Sequence, residues 1–519
     1  MDAIELSVFS SRIAAVCDEM GAVLRRAAFS PNIKDRLDFS CAVFDARGEL
    51  CAQAAHIPVH LGSMAYAMHD LVVGTDWVAG DMLIVNDPYL GGTHLPDVTL
   101  VAPVFVTGEL AGFVANRAHH ADIGAHSPGS MPVSRSLEEE GLVIPPMLLM
   151  HGGDRVVATL DMITAATANP RQMEGDLAAQ ISANRTGIKR LSGLASHPGI
   201  ECFASGLAAV NDYGARLARR SLQVIPDGVY RFADVMDDDG MGTRDIRIEV
   251  VITVAGETID VDFSGTAGQV PGNINCPLPV TVAGVYYVFR CLMPVQTPAC
   301  AGSFRNITVT APAGCLLNAN RPAAVAAGNV ETSSRVVDVV MGALASALPE
   351  QLPAASQGTM NNLAMGSRQA GRSWDYYETI GGGMGASYRR HGLSAVQSHM
   401  TNTLNTPIEV LEMNFPLRLR RYRLRDGSGG TGRHRGGDGL VREYEFLEST
   451  TVTLLTERRR HRPWGLEGGG AGAAGENRRS GVTVPAKTSF GIEAGERLVI
   501  CTPGGGGWGR ESAGLPASS

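Results

Sequence analysis

Between Asn86 and Gly129 the chain carries two apolar, β-branched runs joined at Gly108, and the outer ends of that pair are rich in histidine and aspartate. The first end reads NDPYLGGTHLPDV and the second ANRAHHADIGAHSPG. Two such runs about a glycine turn predict an antiparallel pair of strands, which returns the chain to its start. His119, His120 and Asp122 are therefore expected beside His94 and Asp97. Four histidines and three aspartates fall in this stretch, and a cluster of that density is read as a ligand site rather than as strand capping alone.

Two imidazoles with one or two carboxylates form a borderline-hard set that suits zinc, manganese or iron and leaves positions open. Gly91 and Gly92 let the backbone turn tightly just before His94. Neighbours in an extended chain face opposite ways, so one of His119 and His120 is expected to bind the metal. Spacing does not decide which. His56 and His60 flank Pro58 ahead of a helix expected from about Leu61, where positive charge is disfavoured. As neutral donors or acceptors they are expected to contact substrate.

These motifs resemble a known family. NDPYLGGTHLPDV, RAHHADIG, AQAAHIPVHLGSM, DRLDFSCAVFD, NINCPLPVTVAGVYY and TPGGGGWG are similar, across almost the whole chain, to the hydantoinase B family. Its members are metal-binding subunits, or C-terminal halves, of ATP-dependent hydantoinases, 5-oxoprolinases and lactamases; acetone and acetophenone carboxylase alpha subunits are related. The resemblance implies one divalent ion, zinc or manganese, held by Asp38, His94, Asp97 and His119, and it alone selects His119 over His120.

The resemblance also implies a partner, an actin-like ATPase subunit of the hydantoinase A type in an (AB)2 hetero-oligomer. That partner would hold ATP and magnesium and phosphorylate the carbonyl oxygen of a small cyclic amide. On this chain a metal-bound hydroxide would open the activated ring, with His120 or Asp122 handling the proton. Two alternatives stand beside this hydrolase: the alpha subunit of an ATP-dependent ketone carboxylase, and a non-catalytic scaffold with a structural metal. Structural zinc sites are usually thiolate-rich, and this ligand set has no cysteine.

Composition narrows the classes further. The net charge of −8 provides no basic field for nucleic acid or anionic lipid. No apolar run reaches the roughly 18 residues of a membrane span, and the amphipathic N-terminus does not read as a signal peptide. A cytoplasmic protein is expected. Nine cysteines without a CxxC pair fit reduced thiols. The chain has only three lysines and no ATP-binding loop, so ATP chemistry is assigned to the partner.

The expected fold class is α+β and multidomain, with mixed sheets, a helical scaffold and a Gly-rich β-type C-terminal domain. A metal-site domain is placed at residues 1–225, a central α+β domain at 226–425 and the Gly-rich domain at 426–519. Helical periodicity predicts a helix from Ile4 to Ala28, and residues 157–223 read as helices broken near Asn169-Pro170 and His197-Pro198-Gly199. From Gly228 alternation predicts an antiparallel sheet, with Asp237, Asp238 and Asp239 in a hairpin turn. Glu138, Glu139 and Glu140 read as a solvated charge run, although Glu140-Gly141 resembles a fixed family position. Asn273 and Asn275 are expected to cap a helix from about Val280, and His399 with Asn402 to form a second pocket wall. The C-terminal glycines are expected to serve tight turns.

Overall fold

The computed structural model describes residues 1–511 apart from 55, 56, 61, 198, 370 and 371. His56 therefore lies outside the described residues. The chain folds as a mixed α+β protein, as expected, with four sheets among the described residues.

The first sheet has seven strands: β1 (Phe39–Phe44), β2 (Leu50–Ala54), β3 (Met82–Val85), β4 (Asp97–Val106), β5 (Glu109–His119), β6 (Met147–His151) and β7 (Asp154–Arg155). Their order is β2-β1-β5-β4-β3-β6-β7. The predicted hairpin about Gly108 is its centre, and the β4–β5 register ends on the pair Asp97 and His119. One face is covered by the amphipathic helix Ala3–Ala27 and by Pro170–Ser196, whose buried residues share a core with β1, β4 and β5. The helix breaks fall where proline and glycine predict them: Pro170 opens one helix and Gly199 stands as the N-cap of the next, Ile200–Leu222.

The second sheet holds β8 (Gly228–Asp238), β9 (Arg244–Ala255), β10 (Thr258–Asp262) and β11 (Ile307–Thr310). The aspartate run makes the β8–β9 turn, where Asp238 and Asp239 side chains accept from the amides of Gly240, Met241 and Thr243. Helices Leu278–Cys291 and Ser333–Ala345 share the core of this sheet. Asn275 holds its own loop through Val270, Gly272 and Ala324, and Asn273 donates to the Pro132 carbonyl, so both act within the framework.

Strands Asn362–Gln369 and Arg372–Glu378 join Thr450–Leu455 and Lys487–Ile492 in the third sheet. The fourth runs in the order Leu417–Arg425, Gly439–Phe446, Arg497–Cys501, Glu476–Arg479 and Val482–Thr483. Buried ion pairs tie these parts together. Arg458 donates to Asp234 and to Asp338 at 2.8 and 2.6 Å, and Lys487 to Glu457 at 2.5 Å.

Gly427, Gly468, Gly481 and Gly495 serve turns at positive φ, as expected, but other C-terminal glycines do not. At Gly505 a Cβ would stand 2.1 Å from the Met384 carbonyl oxygen, and at Gly436 1.9 Å from that of Gly505. Extended segments here touch backbone to backbone and exchange hydrogen bonds such as Gly430 to Gly505 and Gly505 to Gly437, at 2.8 and 3.0 Å. No side chain fits between them. Gly506 also binds the Ala355 carbonyl, which anchors the segment leading to Met360.

All nine cysteines are free thiols. Among the described residues no helix is long and apolar enough to cross a membrane.

Candidate metal centre

The loop between β3 and β4 has to deliver His94 to the end of the hairpin, and its residues explain how. Gly91 adopts φ 91°, and a Cβ on Gly92 would lie 2.6 Å from the Asp87 carbonyl oxygen. Asn86 ties the loop at both sides, donating to Leu95 and Leu142 and accepting from Ile144. The buried Arg117 on β5 donates to Thr99, Ser63 and the Gly91 carbonyl at 2.8–3.0 Å. Burial lowers the pKa of Arg117 to about 10, still cationic at neutral pH.

The result is a convergence of His94, Asp97 and His119, with one ligand atom of each within 4.8 Å of the others. His94 Nε2 is 3.3 Å from Asp97 Oδ2 and 3.2 Å from His119 Nδ1, which is 3.4 Å from Asp97 Oδ1. All three residues are buried. Burial opposes charge on His94, but Asp97 outweighs it and raises the imidazole pKa. Burial likewise opposes the Asp97 carboxylate, and His94 and His60 outweigh it, holding its pKa well below the usual range. For His119 burial dominates and the pKa falls.

His94 Nδ1 faces the Ala326 carbonyl at 3.3 Å. A proton there leaves Nε2 with its lone pair directed at the cluster. Two buried atoms, Asp97 Oδ1 and His119 Nε2, have no hydrogen-bond partner, and unsatisfied buried polar atoms are costly. Two imidazoles and a carboxylate so arranged fit a divalent cation of the zinc or manganese type.

The cluster lies at one side of a pocket. Its apolar wall comes from Ile57, Val59, Val330, Met360 and Met400, its polar wall from Asp38, His60, Asn329, Tyr377, Thr401 and Thr403. His60 Nε2 is 3.3 Å from Asp97 Oδ2 while Nδ1 meets Ser40 Oγ at 3.0 Å. His60 is thus held against the cluster rather than standing free for substrate. Asp38 lines the pocket and lies outside the three-residue group, 3.9 Å from Arg36. Its main chain instead supports the site, because the Asp38 carbonyl accepts from the His119 amide.

His120 and Asp122 do not reach this pocket. Opposite pleating turns His120 to the helix side, where Nε2 meets Gln180 Oε1 at 2.9 Å. The Asp122 carboxylate accepts from the amides of Gly124 and Ala168 at 2.8 and 2.6 Å. The second wall expected of His399 and Asn402 is formed by their neighbours Met400, Thr401 and Thr403. His399 turns toward Asp338, 3.6 Å away.

Glu140 corrects the solvated reading of its charge run, since it is fully buried while Glu138 and Glu139 are exposed. Its Oε1 accepts from Ser134 Oγ and from the amides of Val325 and Ala326, at 2.8–2.9 Å. The carboxyl therefore fixes the residue, Ala326, whose carbonyl faces His94. Tyr377 and Asn329 were not singled out by sequence: neither stands in a histidine- or carboxylate-rich motif, and only the fold brings them here.

Residues 2–511 match the model of the hydantoinase B/oxoprolinase family. The chain belongs to that family. It is 40% identical to 5-oxoprolinase 1 of Arabidopsis thaliana over 98% of its own length, and spans only 42% of that longer protein. The ATP-dependent caprolactamase of Pseudomonas jessenii superposes with a TM-score of 0.92 at 28% identity, covering 98% of this chain and 91% of the other. Acetone carboxylase shares the fold, with a TM-score of 0.88 at 18% identity over 98% of this chain and 76% of its own.

Proposed function

We propose that this family member is the ring-opening component of an ATP-dependent cyclic amide hydrolase. The observation that carries the reading is the convergence of His94, Asp97 and His119 in a pocket with apolar walls. Relatives named 5-oxoprolinase and caprolactamase supply the substrate class, a small ring amide. The chain has no nucleotide-binding motif, and the plant relative is more than twice its length. An actin-like ATPase of the hydantoinase A type is the partner proposed, in a hetero-oligomer, supplying the phosphorylated ring.

His94 Nε2, the Asp97 carboxylate and His119 would hold a divalent ion, zinc or manganese. When bound, such an ion supplies Lewis acidity to an oxygen at neutral pH. The chain's own groups do the rest. The Ala326 carbonyl holds the His94 tautomer, and Ile57, Val59, Val330, Met360 and Met400 keep bulk water from the ring. Asp38, the pocket carboxylate outside the cluster, accepts the proton that the attacking water gives up and returns it to the ring nitrogen as the C–N bond breaks; a second water then releases phosphate from the acyl phosphate so formed. His60 positions Asp97, through Nε2, and is itself set by Ser40. His120 and Asp122 take no part in the proposed proton path, because their polar atoms are engaged elsewhere.

The test is co-expression with the ATPase partner, an ATP-dependent ring-opening assay on hydantoin, 5-oxoproline and simple lactams, and quantification of bound metal. Ring opening without bicarbonate, lost in His94→Ala together with the metal, is the expected result. Bicarbonate-dependent turnover of ketones overturns it in favour of carboxylation, and a stable metal-free complex in favour of a scaffold.

A further inference from the structure

The helix Ser333–Ala345 is preceded by a π-helical turn, Gly328–Thr332. Such turns are rare and recur at functional sites. Here the turn is clamped: the amides of Ala327 and Gly328 both donate to the Asn273 carbonyl, and Thr332 Oγ1 donates to that of Ile274 at 2.5 Å. A Cβ on Gly328 would meet the Asn275 carbonyl oxygen at 1.9 Å, so the two segments are in backbone contact. This turn presents Val330 and one polar side chain, Asn329, to the pocket.

Asn329 is 4% exposed and lines the pocket with the cluster. Its Nδ2 donates to Asp97 Oδ2 at 3.4 Å. That contact fixes the amide orientation, because the flipped form would set an oxygen against the carboxylate. The carboxamide oxygen Oδ1 is then left with no partner. A buried acceptor costs free energy until a donor reaches it. The pocket's own polar side chains, His60, Tyr377, Thr401 and Thr403 among them, make no hydrogen bond to it, so a donor on the substrate is the partner the site can receive.

We infer that Asn329 Oδ1 accepts the ring N–H of the cyclic amide and makes the site selective for amides unsubstituted on nitrogen. This inference rests on the cyclic amide reading of the same site. Once phosphorylated on oxygen, the ring keeps its hydrogen on nitrogen as the protonated imidate, and that N–H is bonded directly to the carbon that is attacked. An acceptor one hydrogen bond away from the carboxylate of the cluster therefore stands where that N–H must come. A methyl on nitrogen would remove the donor and press carbon against an unpaired oxygen. Sites built around a substrate hydrogen bond reject analogues lacking it far more strongly than apolar pockets reject a methylene.

The test compares a lactam with its N-methyl derivative in the complex with the ATPase subunit, for wild type, Asn329→Ala and Asn329→Ser. Because the same ATPase preparation serves all three, a change in the ratio of kcat/KM values belongs to this chain. Wild type is expected to favour the N–H lactam by about 100-fold or more. Asn329→Ala is expected to lower kcat/KM for the N–H lactam by about 10- to 100-fold more than for the N-methyl lactam, the loss common to both reporting the contact to Asp97. Asn329→Ser, smaller but still an acceptor, should fall between. An equal loss on both lactams, or an unchanged ratio, overturns the inference while leaving the hydrolase reading intact. Wild type turning over both equally overturns it without any variant. If wild type with its partner opens no ring amide at all, the hydrolase reading fails and this inference with it.

Discussion

The ring of Tyr377 lies flat on that of His119, with 4.6 Å between centroids and 8° between planes. Tyr377 comes from the strand Arg372–Glu378 of the third sheet and His119 from the end of β5 in the first. The contact fixes the imidazole plane from outside its own sheet, and the Tyr377 hydroxyl is anchored in turn on Asn362 Oδ1 at 2.5 Å. Arg36 covers the tyrosine ring, 4.8 Å from its centroid.

Tyr377→Leu removes this stack, and metal affinity is expected to fall by about 10-fold, as for other groups that orient ligands indirectly. Tyr377→Phe keeps the stack and should hold affinity within about threefold while losing about 1–2 kcal/mol of stability through the unpaired Asn362. Metal competition titration and denaturant unfolding separate the two effects. Equal affinities in the two variants would refute the positioning role.

Burial raises the Glu140 carboxyl to about 7 from an ordinary 4.5, against the pull of the Ala326 amide and Ser134. The folded chain thus binds more protons than the unfolded one between those values, so stability falls as pH rises from about 4.5 to 7. The full effect is on the order of 3 kcal/mol. Glu140→Gln cannot ionise and should flatten the dependence of Tm on pH in that window. Glu331, raised to about 8 chiefly by burial, keeps its own contribution of the same sign in the variant. A slope unchanged by Glu140→Gln would contradict the assignment.

Arg117→Met leaves the Gly91 carbonyl, Thr99 and Ser63 without their shared donor. A loss of about 3–5 kcal/mol is expected from breaking a buried charged anchor. The Gly91–Gly92 loop should loosen with it. Hydrogen exchange of the amides from Leu90 to Leu95 should rise locally, beyond the global destabilisation.

Gly505→Ala and Gly436→Ala place a methyl inside van der Waals contact with a carbonyl of a neighbouring segment. Each is expected to cost about 3 kcal/mol or more. Gly256→Ala, where a Cβ meets nothing within 4 Å, pays only for its φ of 61° and should cost less. Urea midpoints compared across the three variants check this, and equal losses would mean that turn geometry, not backbone contact, governs these glycines.

Local sequence determined a good part of this protein. The apolar runs about Gly108, framed by His94, Asp97 and His119, fixed a hairpin whose register brings those residues together, because strand pairing is set by neighbours along the chain. Helix ends at Pro170 and Gly199 and the turn at Asp238 and Asp239 were equally legible, since each is a local backbone constraint. Family motifs pointed to the cluster as a site.

Tertiary structure alone decided the rest. Pleating sends His120 to Gln180, and the loop after it folds the Asp122 carboxylate onto backbone amides. Glu140, in a run that reads as solvated, is buried because the 325–326 peptide arrives from nearly two hundred residues away to use it. Asn329 and Tyr377 reach the pocket only through a π turn and a sheet assembled from distant strands. Gly436 and Gly505 pack backbone on backbone, a relation between segments that no window of sequence contains. Contacts of that kind depend on which surfaces meet after the elements have formed, and composition along one segment does not encode its neighbour's position.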